Sequence, residues 1–258
     1  MKLKKFFAAF VVSAVLTAGA VAENHPYGMD IVMGIVGVEA MGFDKPEFLE
    51  WGKFLIPTKR NYSCNAVEIL PIKVNTYLCP WLNNHLGIYG SIGFLPAVEF
   101  GYKSEALGFS ATSDNVGVTC GLEFMAGPCF GIDLGESSVR FQVGAPFHFI
   151  YANGKRTVDA RWNYVSGKLI DVSFDTNVTY TAYGFGLTPQ FRFAANKRCS
   201  FVIGMDFVFD FALTREESTS VTIGNVVFRP KTNVTAGADN TFRFAWTPYL
   251  GLGINFGN

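Results

Sequence analysis

The chain has 258 residues, of which 49% are hydrophobic and 16% charged, with 27 glycines and equal numbers of acidic and basic residues. Its 26 Phe, 10 Tyr and 4 Trp residues exclude a disordered chain, and the charge balance argues against nucleic acid as a partner. Beyond the first two dozen positions no run of about 20 apolar residues lacks Gly, Pro or charge, which excludes a helical membrane protein.

The N-terminus has the parts of a secretory signal peptide. Three lysines within the first five residues precede an apolar stretch at 6–16, and residues 20–22 are the Ala-Val-Ala of a cleavage site. We therefore expect Sec-type export, removal of residues 1–22 and a mature domain of residues 23–258. The signal peptide holds three lysines and no acid, so the mature chain keeps 18 basic and 21 acidic residues, a net charge of −3.

The cysteines do not form a recognisable metal-binding motif. Their number is odd, so at least one is free or bonded to another chain. No Cys-x-x-Cys is present and the chain has only three histidines, so we expect no metal and no cofactor. A buried structural thiol is the expected role of each, with the pairing left open. The cysteines are Cys64, Cys79, Cys120, Cys129 and Cys199.

The rest of the chain is dominated by alternation with a period of two, which is the period of a β-strand. Six segments place apolar and aromatic residues on one face, without a single Asp, Glu, Lys or Arg, and Gly, Ser and charged residues on the other. Two earlier segments, about 27–38 and 68–79, alternate less cleanly. The six clear segments are 86–102, 116–134, 138–151, 180–193, 200–212 and 242–256.

Short and long connections alternate strictly between these eight strands. A soluble barrel of the lipocalin type would show the same alternation with its apolar face inside. The export signal, the aromatic richness of the apolar face and the small residues opposite it favour a membrane barrel, with long loops outside the cell and short periplasmic turns. The short connections lie near 80–85, 135–137 and 195–198, and the long ones at about 40–66, 103–115, 152–178 and 214–240.

Three of the long connections carry further signals. The first, 40–66, mixes aromatic and charged residues, which suggests an amphipathic helix or a lid. The third contains two alternating runs around Ser166-Gly167-Lys168, which predicts a hairpin that prolongs its strands above the membrane. A second hairpin is predicted around Gly224-Asn225, and because its arms are too short to span a bilayer it argues against the alternative of ten strands.

The polar face supplies the candidate site. An eight-stranded interior is wide enough only for packed side chains or one small ligand, so its charges form either a structural plug of ion pairs or a narrow conduit. In a conduit, Asp206 and Asp210 are the expected constriction because they lie four residues apart on one face. His148 is the only candidate for catalysis and no motif surrounds it, so we do not expect an enzyme. The lumen-lining candidates are Asp30, Lys73, Glu99, Glu123, Asp133, Arg140, Arg192, Asp206, Asp210 and Arg243.

The C-terminal segment resembles the signal by which outer-membrane barrels are recognised for assembly. Leu250, Leu252, Ile254 and Phe256 alternate towards an aromatic residue, although Gly257 and Asn258 follow it. The whole mature chain resembles the small eight-stranded barrels of the OmpA, OmpX and OmpW kind, and its cysteines and long aromatic strands resemble small treponemal outer-membrane proteins. This resemblance implies a surface-exposed barrel and, for the OmpW-like branch, uptake of small hydrophobic molecules.

We therefore predict an all-β protein, a transmembrane antiparallel up-and-down barrel of eight strands in the outer membrane of a diderm bacterium. Its predicted partners are outer-membrane lipids and the barrel-assembly machinery. Two functions remain open: a narrow porin-like channel or binding barrel for transport of small hydrophobic solutes, and a surface adhesin or structural barrel with a plugged lumen. The adhesin would contact host surface proteins through its extracellular loops.

Overall fold

The computed structural model describes residues 27–51, 54–106, 109–113, 117–134, 139–163, 169–196, 198–223, 226–228 and 241–256. The predicted signal peptide, residues 1–22, lies outside them. Within the described residues all regular structure is β-strand, paired antiparallel throughout, and no helix of a length and hydropathy that could cross a membrane is present. The strands are β1 (Tyr27–Gly34), β2 (Val36–Trp51), β3 (Phe54–Ile69), β4 (Ile72–Trp81), β5 (Leu86–Ala106), β6 (Phe109–Ser113), β7 (Gly117–Asp133), β8 (Val139–Gly144), β9 (Phe147–Asn163), β10 (Leu169–Ala194), β11 (Cys199–Ile223), β12 (Val226–Phe228) and β13 (Thr241–Phe256).

The strands form a hydrogen-bonded ring of eight segments. Three segments consist of two consecutive strands each, β1 with β2, β3 with β4, and β8 with β9, which share the same neighbours. The ring closes because β13 pairs with β11 on one side and with both β1 and β2 on the other. The short strands β6 and β12 pair only with the ends of β5 and β11 and do not enter the ring. The prediction of eight strands thus holds for the segments of the ring, whereas the described residues form thirteen separate strands.

Two interruptions of the ladder explain why the first two predicted segments alternate poorly. Ile35 and Val36 are both exposed, as are Ile69 and Leu70, so each segment contains one extra residue. These are β-bulges, and at each of them the buried positions change between even and odd residue numbers. The two bulges lie side by side in neighbouring ring segments, and the Gly34 N–H next to one donates to the Pro71 carbonyl next to the other at 2.8 Å. Leu70 adopts a positive φ of 50° at its bulge.

Much of what was predicted as long loops is strand. The prediction of an amphipathic helix at 40–66 is wrong: β2 continues to Trp51 and β3 begins at Phe54, which pairs with it. The alternative of a lid stays a prediction. Long ladders favour this hairpin because each added residue pair satisfies further backbone donors and acceptors. At 103–115 β5 continues and β6 returns along it.

The other two connections follow the predicted hairpins. Strands β9 and β10 remain paired out to Asn163 and Leu169, and the intervening 164–168 lies outside the described residues. Strand β11 continues to Ile223, which pairs with Val226 of β12. The predicted turn at 224–225 is also outside the described part. Where the structure describes them, the long connections are therefore largely extensions of the ring's own strands.

The two faces of the ring have opposite chemistry. Aromatic and aliphatic side chains are exposed on the outer face, among them Phe185 at 61% and Phe209 at 56%. Acidic, basic and amide side chains are buried on the inner face, with Asp210 and Arg243 at 0%. The molecule is thus apolar outside and charged inside, the reverse of a soluble globular protein.

Candidate functional site

Nine of the ten lumen-lining candidates are buried on the inner face. They come from all eight ring segments and converge because every second side chain of each strand points towards the ring's axis. The exception is Asp133, whose side chain is 44% exposed at the ring's edge. The nine buried residues are Asp30, Lys73, Glu99, Glu123, Arg140, Arg192, Asp206, Asp210 and Arg243.

Arg243 is the centre of the main ion-pair network. Its Nε and Nη2 donate to the two carboxylate oxygens of Glu39 at 2.6 and 3.2 Å, and its Nη1 donates to Asp210 at 2.8 Å. Glu68 lies 3.8 Å away from Nη2 and accepts the Thr247 hydroxyl at 2.6 Å. One guanidinium therefore holds three carboxylates from three other segments, and the bidentate contact with Glu39 suits its planar fork of donors.

The network continues through His148 and Lys73. His148 Nδ1 lies 2.6 Å from Asp210 and Nε2 lies 3.1 Å from Glu123, so both ring nitrogens contact carboxylates. The Lys73 ammonium reaches Glu123 at 2.6 Å and Asp206 at 2.7 Å. A continuous chain of charge contacts thus crosses the ring from Glu39 to Asp206.

This chain has more acid than base. It contains five carboxylates but only two permanent cations, Lys73 and Arg243, with His148 as a third when it is protonated. Buried charges at such density are tolerated only with close partners, since the desolvation of each costs several kcal/mol. Asp206 and Asp210, the predicted constriction residues, are both held by cations. The five carboxylates are Glu39, Glu68, Glu123, Asp206 and Asp210.

A smaller polar network lies inside the ring on the side where β1 begins and β13 ends. Arg192 donates to Asp30 at 2.8 Å and to Asn255 at 3.0 Å, and its guanidinium carbon lies 4.2 Å from the centre of the Tyr77 ring. Gln190 donates to Gln142 at 2.7 Å and accepts the Tyr249 hydroxyl at 3.1 Å. At the edge, Arg140 pairs with Asp133 at 3.1 Å and donates to the carbonyl of Asn84.

Apolar clusters accompany the charged network. Next to Arg243 along the strands is a fully buried group that includes Met41, Leu95, Ile150, Tyr180 and Leu213. A second cluster contains Tyr77, Tyr89 and Met125.

Sequence reasoning missed Glu39 and Glu68. If the alternation that places Asp30 on the polar face continued unbroken, Glu39 would lie on the apolar face. The alternation around Lys73, continued towards the N-terminus, would likewise place Glu68 on the apolar face. The bulges at Ile35 and Leu70 reverse both assignments. The available signal was the adjacent apolar pair at each position, Ile35-Val36 and Ile69-Leu70, which interrupts the alternation of apolar and polar residues.

The remaining predicted features have definite positions. The predicted assembly signal lies on β13, where Leu252, Ile254 and Phe256 are exposed on the outer face and Leu250 is partly covered. Among the described residues no group of His, Cys, Asp and Glu has an arrangement that would hold a metal ion. Cys120 and Cys199 are exposed, so the expectation that every cysteine is buried is wrong for these two.

No protein family and no curated protein matches this chain. Among solved structures it is similar to Ail, the attachment invasion locus protein of Yersinia pestis, crystallised with the heparin analogue sucrose octasulfate. That likeness has 12% identity, a TM-score of 0.30, and covers 88% of this chain and 98% of Ail. It is also similar to the outer-membrane protease OmpT of Escherichia coli, with 7% identity, a TM-score of 0.33, and coverage of 89% and 96%. Both are outer-membrane β-barrels, the class that the sequence resembles.

Proposed function

We propose that the protein is an outer-membrane β-barrel with a sealed interior that acts at the cell surface through its extended strands. The observation that carries this proposal is the inversion of the two faces. Soluble monomers rarely expose contiguous apolar patches larger than a few hundred Å², whereas the apolar outer face here continues around the ring. A lipocalin-like barrel would bury these aromatic side chains and expose the charged ones.

The outer face also has a boundary that fits a membrane surface. Along β9 the exposed residues change from Phe147 and Tyr151 to Asn153, and Asn153 accepts the hydroxyl of Thr179 on β10 at 2.8 Å. Tyrosines at the edge of an apolar band are typical of the interface with lipid headgroups. Above this edge the outer face is polar, for example where the Thr157 hydroxyl donates to Asp175 at 2.9 Å.

The strands continue well beyond this boundary. From Ala152 to Asn163, β9 has a dozen further residues, roughly 40 Å along the strand at about 3.3 Å per residue. Strands β10 and β11 have 26 and 25 residues and accompany it, although 9 to 11 suffice to cross a bilayer. A three-stranded sheet that projects from the membrane is a surface for binding a partner such as a host surface protein.

The ion-pair network supports a plugged lumen rather than transport. A small hydrophobic solute would have to pass Arg243, Glu39 and His148, all at most 1% exposed and bonded to one another or to Asp210. Opening such a path breaks buried charge pairs, which costs several kcal/mol for each pair. The conduit with Asp206 and Asp210 as its constriction is the alternative to this proposal, and the absence of enzymatic activity stays a prediction.

Export through the Sec pathway and insertion by the barrel-assembly machinery belong to the same proposal. Residues 1–22 would direct the first step, and the alternating outer-face residues of β13 the second. Outer-membrane lipids are then the partner of the apolar band.

The decisive experiment separates adhesion from transport. The β9–β10 extension is removed by deleting residues 156–176 and joining Lys155 to Asn177, which face each other in register, through an Asn-Gly turn. As a matched control, residues 45–60 of the β2–β3 hairpin are replaced in the same way between Asp44 and Asn61. Each variant is displayed on a bacterial surface, its folding is checked by heat-dependent gel mobility, and adhesion to cultured mammalian cells is measured.

We expect the β9–β10 deletion to fold and to lose adhesion, while the control deletion keeps most of it. Planar bilayers that contain wild-type protein should show no conductance steps. Adhesion unchanged by the β9–β10 deletion would contradict the surface role, and regular conductance steps would contradict the sealed lumen.

A further inference from the structure

Two cysteines meet inside the ring near the turn that connects β4 and β5. Cys79 of β4 is completely buried and Cys129 of β7 is 4% exposed. Their sulfur atoms lie 3.3 Å apart, although 50 positions separate them in the chain. Strand β5 runs between β4 and β7, so the two side chains meet across an intervening strand.

The residue between them on β5 makes this contact possible. Gly87 faces Cys129 in the β5–β7 register, and the β4–β5 register shifts between Leu78 and Trp81. A Cβ atom at Gly87 would overlap the carbonyl oxygen of Leu78 and the Cα of Cys79, and would lie 2.6 Å from the carbonyl carbon of Leu78. The backbone of Cys79 therefore folds over Gly87 towards the ring's interior and towards Cys129.

The other cysteines have different positions. Cys120 and Cys199 are exposed, and Cys120 lies on the outer face of β7, where successive residues alternate between buried and exposed. Cys64 lies in β3, opposite Met41 of β2. Cys79 and Cys129 are thus the two cysteines that the described structure brings into sulfur contact with each other.

We propose that Cys79 and Cys129 form an intramolecular disulfide in the exported protein. The sulfurs must approach from 3.3 Å to about 2.05 Å. The bond would tie β4 to β7 across β5 and close a loop that contains the whole of β5 and β6. Disulfides persist in oxidising compartments such as the periplasm, and a link of this kind restricts the unfolded chain.

The oxidant is a disulfide of a dithiol oxidase or of a small thiol compound. The thiolate of one cysteine attacks this disulfide, forms a mixed disulfide and releases one thiol of the oxidant. The thiolate of the second cysteine then attacks the sulfur of the first and expels the oxidant's other thiol. Two protons and two electrons leave the cysteine pair, and the oxidant's disulfide becomes two thiols. Because both sulfurs are buried in the closed ring, the exchange takes place before the ring closes.

The test uses full-length protein expressed with its signal peptide and recovered from the outer membrane. Cells are lysed in acid to quench exchange, free thiols are alkylated under denaturing conditions, and the mass is measured with and without prior reduction. The mature chain has five cysteines, so we expect three alkylated thiols without reduction and five after it. Peptide mapping without reduction should show one linked pair, Cys79 with Cys129.

Matched variants assign the bond. Cys79→Ser should leave Cys129 alkylated without reduction and Cys129→Ser should leave Cys79 alkylated, whereas Cys120→Ser and Cys199→Ser should keep the link. Five free thiols in the wild-type protein, or a link that involves another cysteine, would overturn the proposal. The wild-type map decides this even where a serine variant fails to fold, and heat-dependent gel mobility shows separately whether the barrel has formed.

Discussion

Replacing Arg243 with methionine removes the central cation of the interior network and keeps an unbranched side chain of comparable length. The substitution deletes two hydrogen bonds to Glu39, at 2.6 and 3.2 Å, and one to Asp210 at 2.8 Å. Asp210 keeps its contact with His148. Among the described residues Glu39 keeps only the Tyr180 hydroxyl, at 3.4 Å, as a hydrogen-bond donor, so most of the penalty falls on Glu39.

The expected loss follows from the burial of these groups. Arg243 is 0% and Glu39 1% exposed, and removing one partner of a buried ion pair typically costs about 3–5 kcal/mol. With a slope of about 2 kcal/mol per molar urea, the midpoint of unfolding should fall by roughly 1.5–2.5 M. Adding Glu39→Gln to Arg243→Met should recover part of the loss, because it removes the uncompensated charge. A coupling energy of about 0.5–3 kcal/mol is expected for residues in direct contact.

The assay is urea unfolding of the protein refolded in detergent micelles, followed by tryptophan fluorescence and by gel mobility. Arg198→Met is the matched control, since Arg198 is exposed in the turn after β10 and its loss should change stability by no more than about 0.5 kcal/mol. The reasoning fails if Arg243→Met destabilises the protein no more than Arg198→Met does.

Two further substitutions test the outer face and the packing between strands. Phe209→Lys introduces a charge where the side chain is 56% exposed and should cost about 2–4 kcal/mol in lipid vesicles. Ser218→Lys, on the polar extension of the same strand, should be nearly neutral. A Phe209→Lys protein that refolds in buffer without lipid or detergent would contradict the membrane assignment. Gly251→Ala should destabilise by about 1–3 kcal/mol, because the new Cβ would lie 2.7 Å from the Cα of Val32. Gly90→Ala is its control, with the Thr76 hydroxyl at 3.2 Å as the nearest atom, and equal melting temperatures of the two variants would refute this packing argument.

The inner face was predictable along unbroken stretches of strand, although β5 and β11 each have a register shift farther along. On β5, β7 and β11 the alternation alone places Glu99, Glu123 and Asp206 opposite the aromatic residues, and the structure has them buried. This works because successive side chains of a strand point to opposite faces, so the face of each residue follows from its position along the strand. The order of segments around the ring is likewise a pattern along the chain, and the export signal stays a prediction from such a pattern.

Other features depended on the register between strands. The bulges at Ile35 and Leu70 reverse the faces of Glu39 and Glu68, and a bulge is decided by the neighbouring strand as much as by its own residues. The first long connection mixes aromatic and charged residues without clear alternation, so its pairing as β2 and β3 was not visible in the sequence.

The sequence by itself determined that one face is apolar, that the other carries charges, and that eight segments follow one another with alternating short and long connections. The closed tertiary structure decided which charges meet. Glu39 and Arg243 are 204 positions apart, and they bind each other because β13 closes the ring against β2. Cys79 and Cys129 meet because the backbone of β4 folds over a glycine of β5. Such contacts depend on ring closure and strand register, which no single strand encodes.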